Sequence, residues 1–167
     1  MMKPRGWWGR RLARLVANPA QAVYGTIVAT ALIAAVSAHD DDPGRIAIVV
    51  TVTLLVFWIA HVYAELLGRG LRNERPSFAS VRATMVDELA MVEAPGLSVA
   101  ILLLGAAGLI GHGLAINLAL ANGVVQLWLW GVAVARQLGS SWPVAMASGL
   151  VNAAFGVVIV ILNALVH

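Results

Sequence analysis

Apolar residues in this chain fall into long runs, separated by short clusters of charge, glycine and proline. An α-helix needs about 20 such residues in a row to cross a bilayer. The runs predict five crossing helices, over about 18–38, 45–67, 95–111, 114–135 and 143–166. Asn18-Pro19 opens the first, with Asn as cap and Pro at the first helical position, where a missing N–H is no loss. An acidic turn, His39-Asp40-Asp41-Asp42-Pro43-Gly44, leads to the second. Gly68 and Gly70 are read as its stop. The stretch 95–138 is too long for one crossing and right for two, with Gly111-His112-Gly113 as the turn between them. Gly139-Ser140-Ser141-Trp142-Pro143 separates the fourth run from the fifth.

Residues 77–93 carry a different pattern. Ser77 follows a proline and suits a helix cap. Phe78, Val81, Met85, Leu89 and Val92 then recur at spacings of three and four. That is one apolar seam on a helix, with Arg82, Asp87 and Glu88 off it. The pattern predicts an amphipathic helix lying at the membrane surface. Glu93 stands just before Ala94-Pro95-Gly96, where the dipole of the following helix favours a carboxylate.

One polar stripe interrupts the second run. Residues 57–68 read F-W-I-A-H-V-Y-A-E-L-L-G. At about 100° per residue, Thr51, Trp58, His61, Glu65, Arg69 and Arg72 fall within about 40° of Glu65. Ionisable groups inside a span are costly and by default point to function. A His–Glu pair can relay protons, because imidazole titrates near neutral pH. The same pair suits a divalent metal, or simply fixes helix packing. Asp87, Glu88 and Glu93 would add an oxygen-rich vestibule where a cation enters. Asn122 and Gln126 share a face of the fourth span, and Ser148, Asn152, Gly156 and Asn163 share a narrow arc of the fifth. These are read as packing seams or as the lining of a pathway.

Composition fixes the class. Sixty per cent of the 167 residues are hydrophobic, 11% are charged and the mean hydropathy is +0.87. That balance leaves no room for a large soluble domain and describes a polytopic membrane protein. The absence of cysteine excludes disulfides, thiolate metal sites and cysteine nucleophiles. The basic excess lies beside apolar runs, so it is read as a topology signal and not as a nucleic-acid surface. With the N-terminus inside, ten of the eleven Lys/Arg are cytoplasmic and only Arg45 is outside. Residues 1–17, with Trp7, Trp8, Arg10, Arg11 and Arg14, form a basic cytoplasmic segment, and 18–167 form the membrane domain.

The sequence contains no Walker loop, dinucleotide fingerprint, H-E-x-x-H motif or nucleophile elbow. An enzyme is therefore not the expected class, and no cofactor or resident metal is assigned.

The segments F-W-I-A-H-V-Y-A-E-L-L-G, M-V-E-A-P and G-L-V-N-A-A-F-G-V-V-I-V resemble small uncharacterised integral-membrane proteins of high-GC bacteria. A second resemblance, of layout, is to the vacuolar iron transporter family. That family implies five spans and a Glu-bearing cytoplasmic helical segment between the second and third. Here Glu65 lies late in span two, and Asp87, Glu88 and Glu93 lie in the insert. The insert is poorer in Glu and Met than the family's, and the first span has no Asp, so no residue role is carried over.

The reading is an all-α bundle of five transmembrane helices plus one interfacial helix. It sits in a bacterial inner membrane, with the C-terminus outside, as a homo-oligomer, most simply a dimer. It is expected to move a small cation, proton or divalent metal, through His61 and Glu65. The competing class is a non-transporting scaffold or accessory subunit of a larger membrane complex.

Overall fold

The structure, a computed structural model, describes residues 18–71 and 77–166, the side chains of 159 and 162–166 excepted. The basic segment 1–17, Arg72 and Arg75 of the second loop, and the side chain of Asn163 lie outside the described residues. The described chain is all helical between its turns: α1 (Pro19–Ser37), α2 (Pro43–Leu71), α3 (Phe78–Glu88), α4 (Ala90–Glu93), α5 (Gly96–Ala106), α6 (His112–Gln137) and α7 (Trp142–Val166). Among them α1, α2 and α6 are each long and apolar enough to cross a membrane. The α3–α4 pair and α5 together make a fourth such unit, bent by 52°.

Several helix ends differ from the sequence reading, each for a local reason. Pro19 opens α1 as expected, but Asn18 makes no side-chain cap bond. A proline at the first position has no N–H to satisfy there, so less is gained from a cap. Gly68 and Gly70 do not stop α2, which runs on to Leu71. At 29 residues α2 is about 43 Å long. Glycine in a helix costs only about 1 kcal/mol, too little by itself to end it. Ser77 does cap α3: its Oγ accepts from the Ser80 N–H, and the Ser80 hydroxyl accepts from the Ser77 N–H.

The expected span 95–111 is the largest departure. Only Gly96–Ala106 is helical, 11 residues and about 16 Å, too short to cross alone. It ends at Ala106, and Gly108 takes a left-handed turn at φ 72° that glycine adopts without strain. At the other end Pro95 cannot donate to the carbonyl of Met91, so the chain bends where α4 meets α5. Taken along the α5 axis, the bent unit reaches about 31 Å, one hydrocarbon thickness. The surface helix and the third span of the sequence reading thus meet at this 52° bend. The seam of the first arm faces away from the protein at its start, with Phe78 86% exposed and Met85 exposed. Thr84, Ala90 and Met91 are the residues it buries.

The acidic turn is closed on itself. Asp40 and Asp42 side chains accept from the backbone N–H groups of Asp42 and Gly44, and Arg45 lies 3.4 and 3.7 Å from the two carboxylates. At the opposite end Arg136 closes the α6–α7 turn. Its guanidinium donates to the Ser140 carbonyl at 2.6 Å and lies 4.7 Å over the Trp142 ring.

α1 and α6 form the middle of the bundle; α1 touches α2, α4, α6 and α7. The two ends of the bundle differ in chemistry. Towards the C-terminus of α1 and the N-terminus of α2, an apolar cluster of Ala29, Ile33, Ile46, Ala47, Val50, Leu54, Leu102, Ile116 and Ala119 fills the interior. Below the acidic turn this interior is apolar, while the half-buried Gln21, His61, Glu65 and Glu88 lie towards the other end. Large apolar residues such as Ile48, Val52, Val56, Ile59 and Tyr63 line the outer face of α2 and are exposed, as lipid-facing residues are.

The small residues work inside the chain. Gly105 lies against Ala115 and Pro43, and Gly156 against Leu127 and Val124. Ser148 and Asn152 of α7 lie on Gly131 of α6. The stripe on α7 is therefore an intrachain seam, as small-residue stripes in membrane helices commonly are.

Candidate functional site

His61 and Glu65 do share one face of α2, at half-buried positions. Each has a partner on its own helix. His61 Nδ1 lies 3.0 Å from the Phe57 carbonyl. A carbonyl only accepts, so Nδ1 is the donor in this contact. The ring also packs 5.2 Å from the ring of Tyr24, which in turn meets Phe57 edge-on. Glu65 Oε1 accepts from Arg69 Nε at 3.0 Å, with 41% of the glutamate side chain exposed. An ion pair this wet contributes little to stability. The adjoining Trp58 ties α2 to α3, its indole N–H donating to the Met85 carbonyl at 3.1 Å. That carbonyl belongs to the last turn of α3, which has no helical donor of its own.

The broken unit supplies the second group. Asp87 points to solvent or headgroups and is exposed, whereas its neighbour Glu88 turns inward. Gln21 of α1 donates to Glu88 Oε1 at 3.3 Å, while Glu88 Oε2 is buried and accepts no hydrogen bond from the described residues. A carboxylate oxygen in that position costs at least about 1–3 kcal/mol. Glu93 sits half-buried at the bend itself. Gln21 and Tyr24, three residues apart and so on one side of α1, meet Glu88 and the His61 ring respectively.

The third group runs between α5 and α6. Asn122 donates to Ser98 Oγ at 2.8 Å, and Ser98 donates to the Ala119 carbonyl at 3.1 Å. Ser98 is 2% exposed. One turn along α6, Gln126 has a buried Oε1 that makes no hydrogen bond with the described residues. It lines a groove with Ala94, next to Glu93 in sequence. Among the described residues no three His, Asp or Glu side chains converge on a point that a metal ion would occupy.

The sequence reading named His61, Glu65, Glu88, Glu93, Asn122 and Gln126 and missed Gln21, Tyr24 and Ser98. Gln21 was open to discovery: it is a polar residue one turn inside an otherwise apolar run. Tyr24 and Ser98 carry no such signal, because tyrosine and serine are ordinary in spans. No family model, curated protein or solved structure matches this chain.

Proposed function

We propose that the chain crosses the membrane five times, with its N-terminus cytoplasmic, and moves a small cation, proton or divalent metal, through the polar end of the bundle. The third crossing is the bent unit of α3, α4 and α5, and the fifth is α7. The observation that carries this reading is the bend itself, with Glu88, seven residues before Pro95 in the arm that leads to it, holding a buried oxygen that lacks a donor among the described residues. Discontinuous helices at membrane depth are tolerated where they line a cavity or hold a charged substrate. A buried carboxylate without a full set of donors invites a cation to complete it. The charge pattern supports the orientation, with ten of eleven Lys/Arg on one side. It also puts His61, Glu65, Glu88 and Glu93 on the cytoplasmic side of the bundle. The centre of the proposed pathway thus moves from His61 and Glu65 to Glu88, with His61 meeting the same side of α1 three residues on.

The test is flux in proteoliposomes, for protons and for divalent metals separately. Glu88→Gln is expected to reduce flux at least tenfold while leaving the protein folded. Glu65→Gln, whose carboxylate is half exposed, is expected to act more weakly. Flux no greater than in empty vesicles would sink the proposal. In that event the scaffold reading stands, and one observation already favours it: His61 and Glu65 are bonded within their own helix. A homo-oligomer remains part of the proposal, but its contact must use a face other than the glycine seams.

A further inference from the structure

We infer that the outer face of α3 binds a phospholipid whose headgroup carries a phosphate and a primary ammonium, a lipid of the ethanolamine type. An open groove of about 560 Å³ runs along this face, lined by Phe78, Ala79, Arg82, Ala83, Val86 and Asp87. At about 100° per residue these six fall within one half of the helix. The helix is inside out for one that faces water. It buries Thr84 and half-buries Ser80 and Glu88 against the protein, and it leaves Phe78, Met85 and Val86 exposed. An apolar outer face beside membrane-crossing helices meets lipid.

Two charges in the groove define the headgroup. Arg82 and Asp87 are both exposed, and neither has an ion pair or a hydrogen bond among the described residues. They stand five residues apart, about 7.5 Å along the axis. Arginine grips phosphate through a fork of N–H donors, and its long stem lets the fork swing towards Asp87. Asp87 offers only acceptors. A ligand that satisfies both therefore carries a phosphate and, a short step away, a cation that donates hydrogen bonds. A primary ammonium has three N–H donors; the trimethylated ammonium of choline has none. A headgroup with a net negative charge would meet Asp87 as a like charge. Phe78, Ala79, Ala83 and Val86 supply the apolar wall for the start of an acyl chain, which a free phosphate or amine would leave uncovered.

The position along the chain fits a headgroup. α3 starts just after the Arg-bearing loop that the charge pattern puts in the cytoplasm. With α5 along the membrane normal, the 52° bend lays α3 nearer the membrane plane than the normal. Both charges then stay within reach of the headgroup layer. The inference rests on the membrane reading of the chain and not on cation movement, and a binding assay reads it without any flux.

The experiment places the full chain in phosphatidylcholine nanodiscs that contain a phosphatidylethanolamine with a photoreactive diazirine near the head of one acyl chain. Labelled peptides are located by mass spectrometry. Labelling is expected to concentrate on residues 78–86. Unlabelled phosphatidylethanolamine should displace the probe at about a fifth of the mole fraction that phosphatidylglycerol requires, a ratio at the upper end for an exposed ion pair. Asp87→Asn should bring the two lipids level, and Arg82→Gln should weaken both. Equal displacement by both lipids in the natural protein, or labelling of α3 no denser than that of the outer face of α2, would show only bulk lipid and overturn the inference. Labelling that appears only after residues 2–17 are removed would give the face to that segment. The chain has no native cysteine, so a disulfide joining two copies through Ala79→Cys, in place of labelling, would give it to a second copy. Either result overturns the inference as well. The lipid comparison is made on the natural protein, so a variant that fails to fold does not shield the idea.

Discussion

Gly25 is where the first helix meets the broken unit most closely, and Gly25→Ala measures how tightly that contact is held. A Cβ built there runs into the Met91 carbonyl oxygen, with the carbonyl carbon 2.7 Å away and Cα 2.9 Å away. Carbon atoms in ordinary contact stand about 3.5–4.0 Å apart. α1 and α4 must therefore separate by about 1 Å. No rotamer change relieves this, because every atom in the way is backbone. Overpacking of this kind costs about 1–3 kcal/mol, and the backbone neighbour argues for the upper figure. Alanine recovers about 1 kcal/mol through its better helix propensity. The expected net loss is about 2 kcal/mol. Gly70→Ala is the control: it lies in helix α2 with nothing within 4 Å of a built Cβ, and should be neutral or slightly stabilising. The assay is reversible unfolding in mixed micelles, with both variants measured against the natural protein. Equal midpoints for the two variants would refute the close approach of α1 to Met91.

Three other outcomes are open to measurement. A reporter fused to the C-terminus should be active outside the cytoplasm and one inserted in the 70–76 loop active inside; a cytoplasmic C-terminus would remove the five-crossing topology. Gly108→Leu should destabilise by about 1–2 kcal/mol through its left-handed backbone alone, since nothing in the chain lies within 4 Å of a Cβ there; an unchanged unfolding midpoint would refute that turn. Ser77→Ala removes one half of the capping box and should cost about 1 kcal/mol. Faster amide exchange should be confined to the first turn of α3; unchanged exchange would place the helix start elsewhere.

Hydrophobic runs located most of these helices because a crossing needs length and apolarity, and both are written in composition. The runs at 18–38, 114–135 and 143–166 agree with α1, α6 and α7 to within about two residues. What they hid was the meaning of Pro95. In a linear reading, a proline after a turn of amphipathic residues marks the start of a new element. In the bundle it also marks a 52° bend, near which α1 packs through Gly25 on the Met91 turn and through Gln21 on Glu88. Those contacts are 66 and 67 residues apart in the chain, and no periodicity encodes them. The same holds for the glycines. A small residue in a span signals close approach, but not whether the approaching helix belongs to the same chain. Gly105 and Gly156 turned out to face Ala115 and Leu127.

The stripe on α2 shows why shared face and shared chemistry are separate questions. Spacing of four brings His61 and Glu65 to one side of the helix, yet the same spacing brings Phe57 to His61 and Arg69 to Glu65. A helix offers every polar residue two such neighbours, one above and one below. Which of them it takes is settled by local geometry, here a backbone carbonyl for the imidazole and a guanidinium for the carboxylate. Glu88 has no basic residue at either position four away: Thr84 and Val92 occupy them. Its partner comes instead from another helix and satisfies only one oxygen. The residue that its own helix leaves incompletely bonded is the one whose remaining partner must be found in three dimensions, and that makes Glu88 a stronger candidate than the pair the linear pattern favoured.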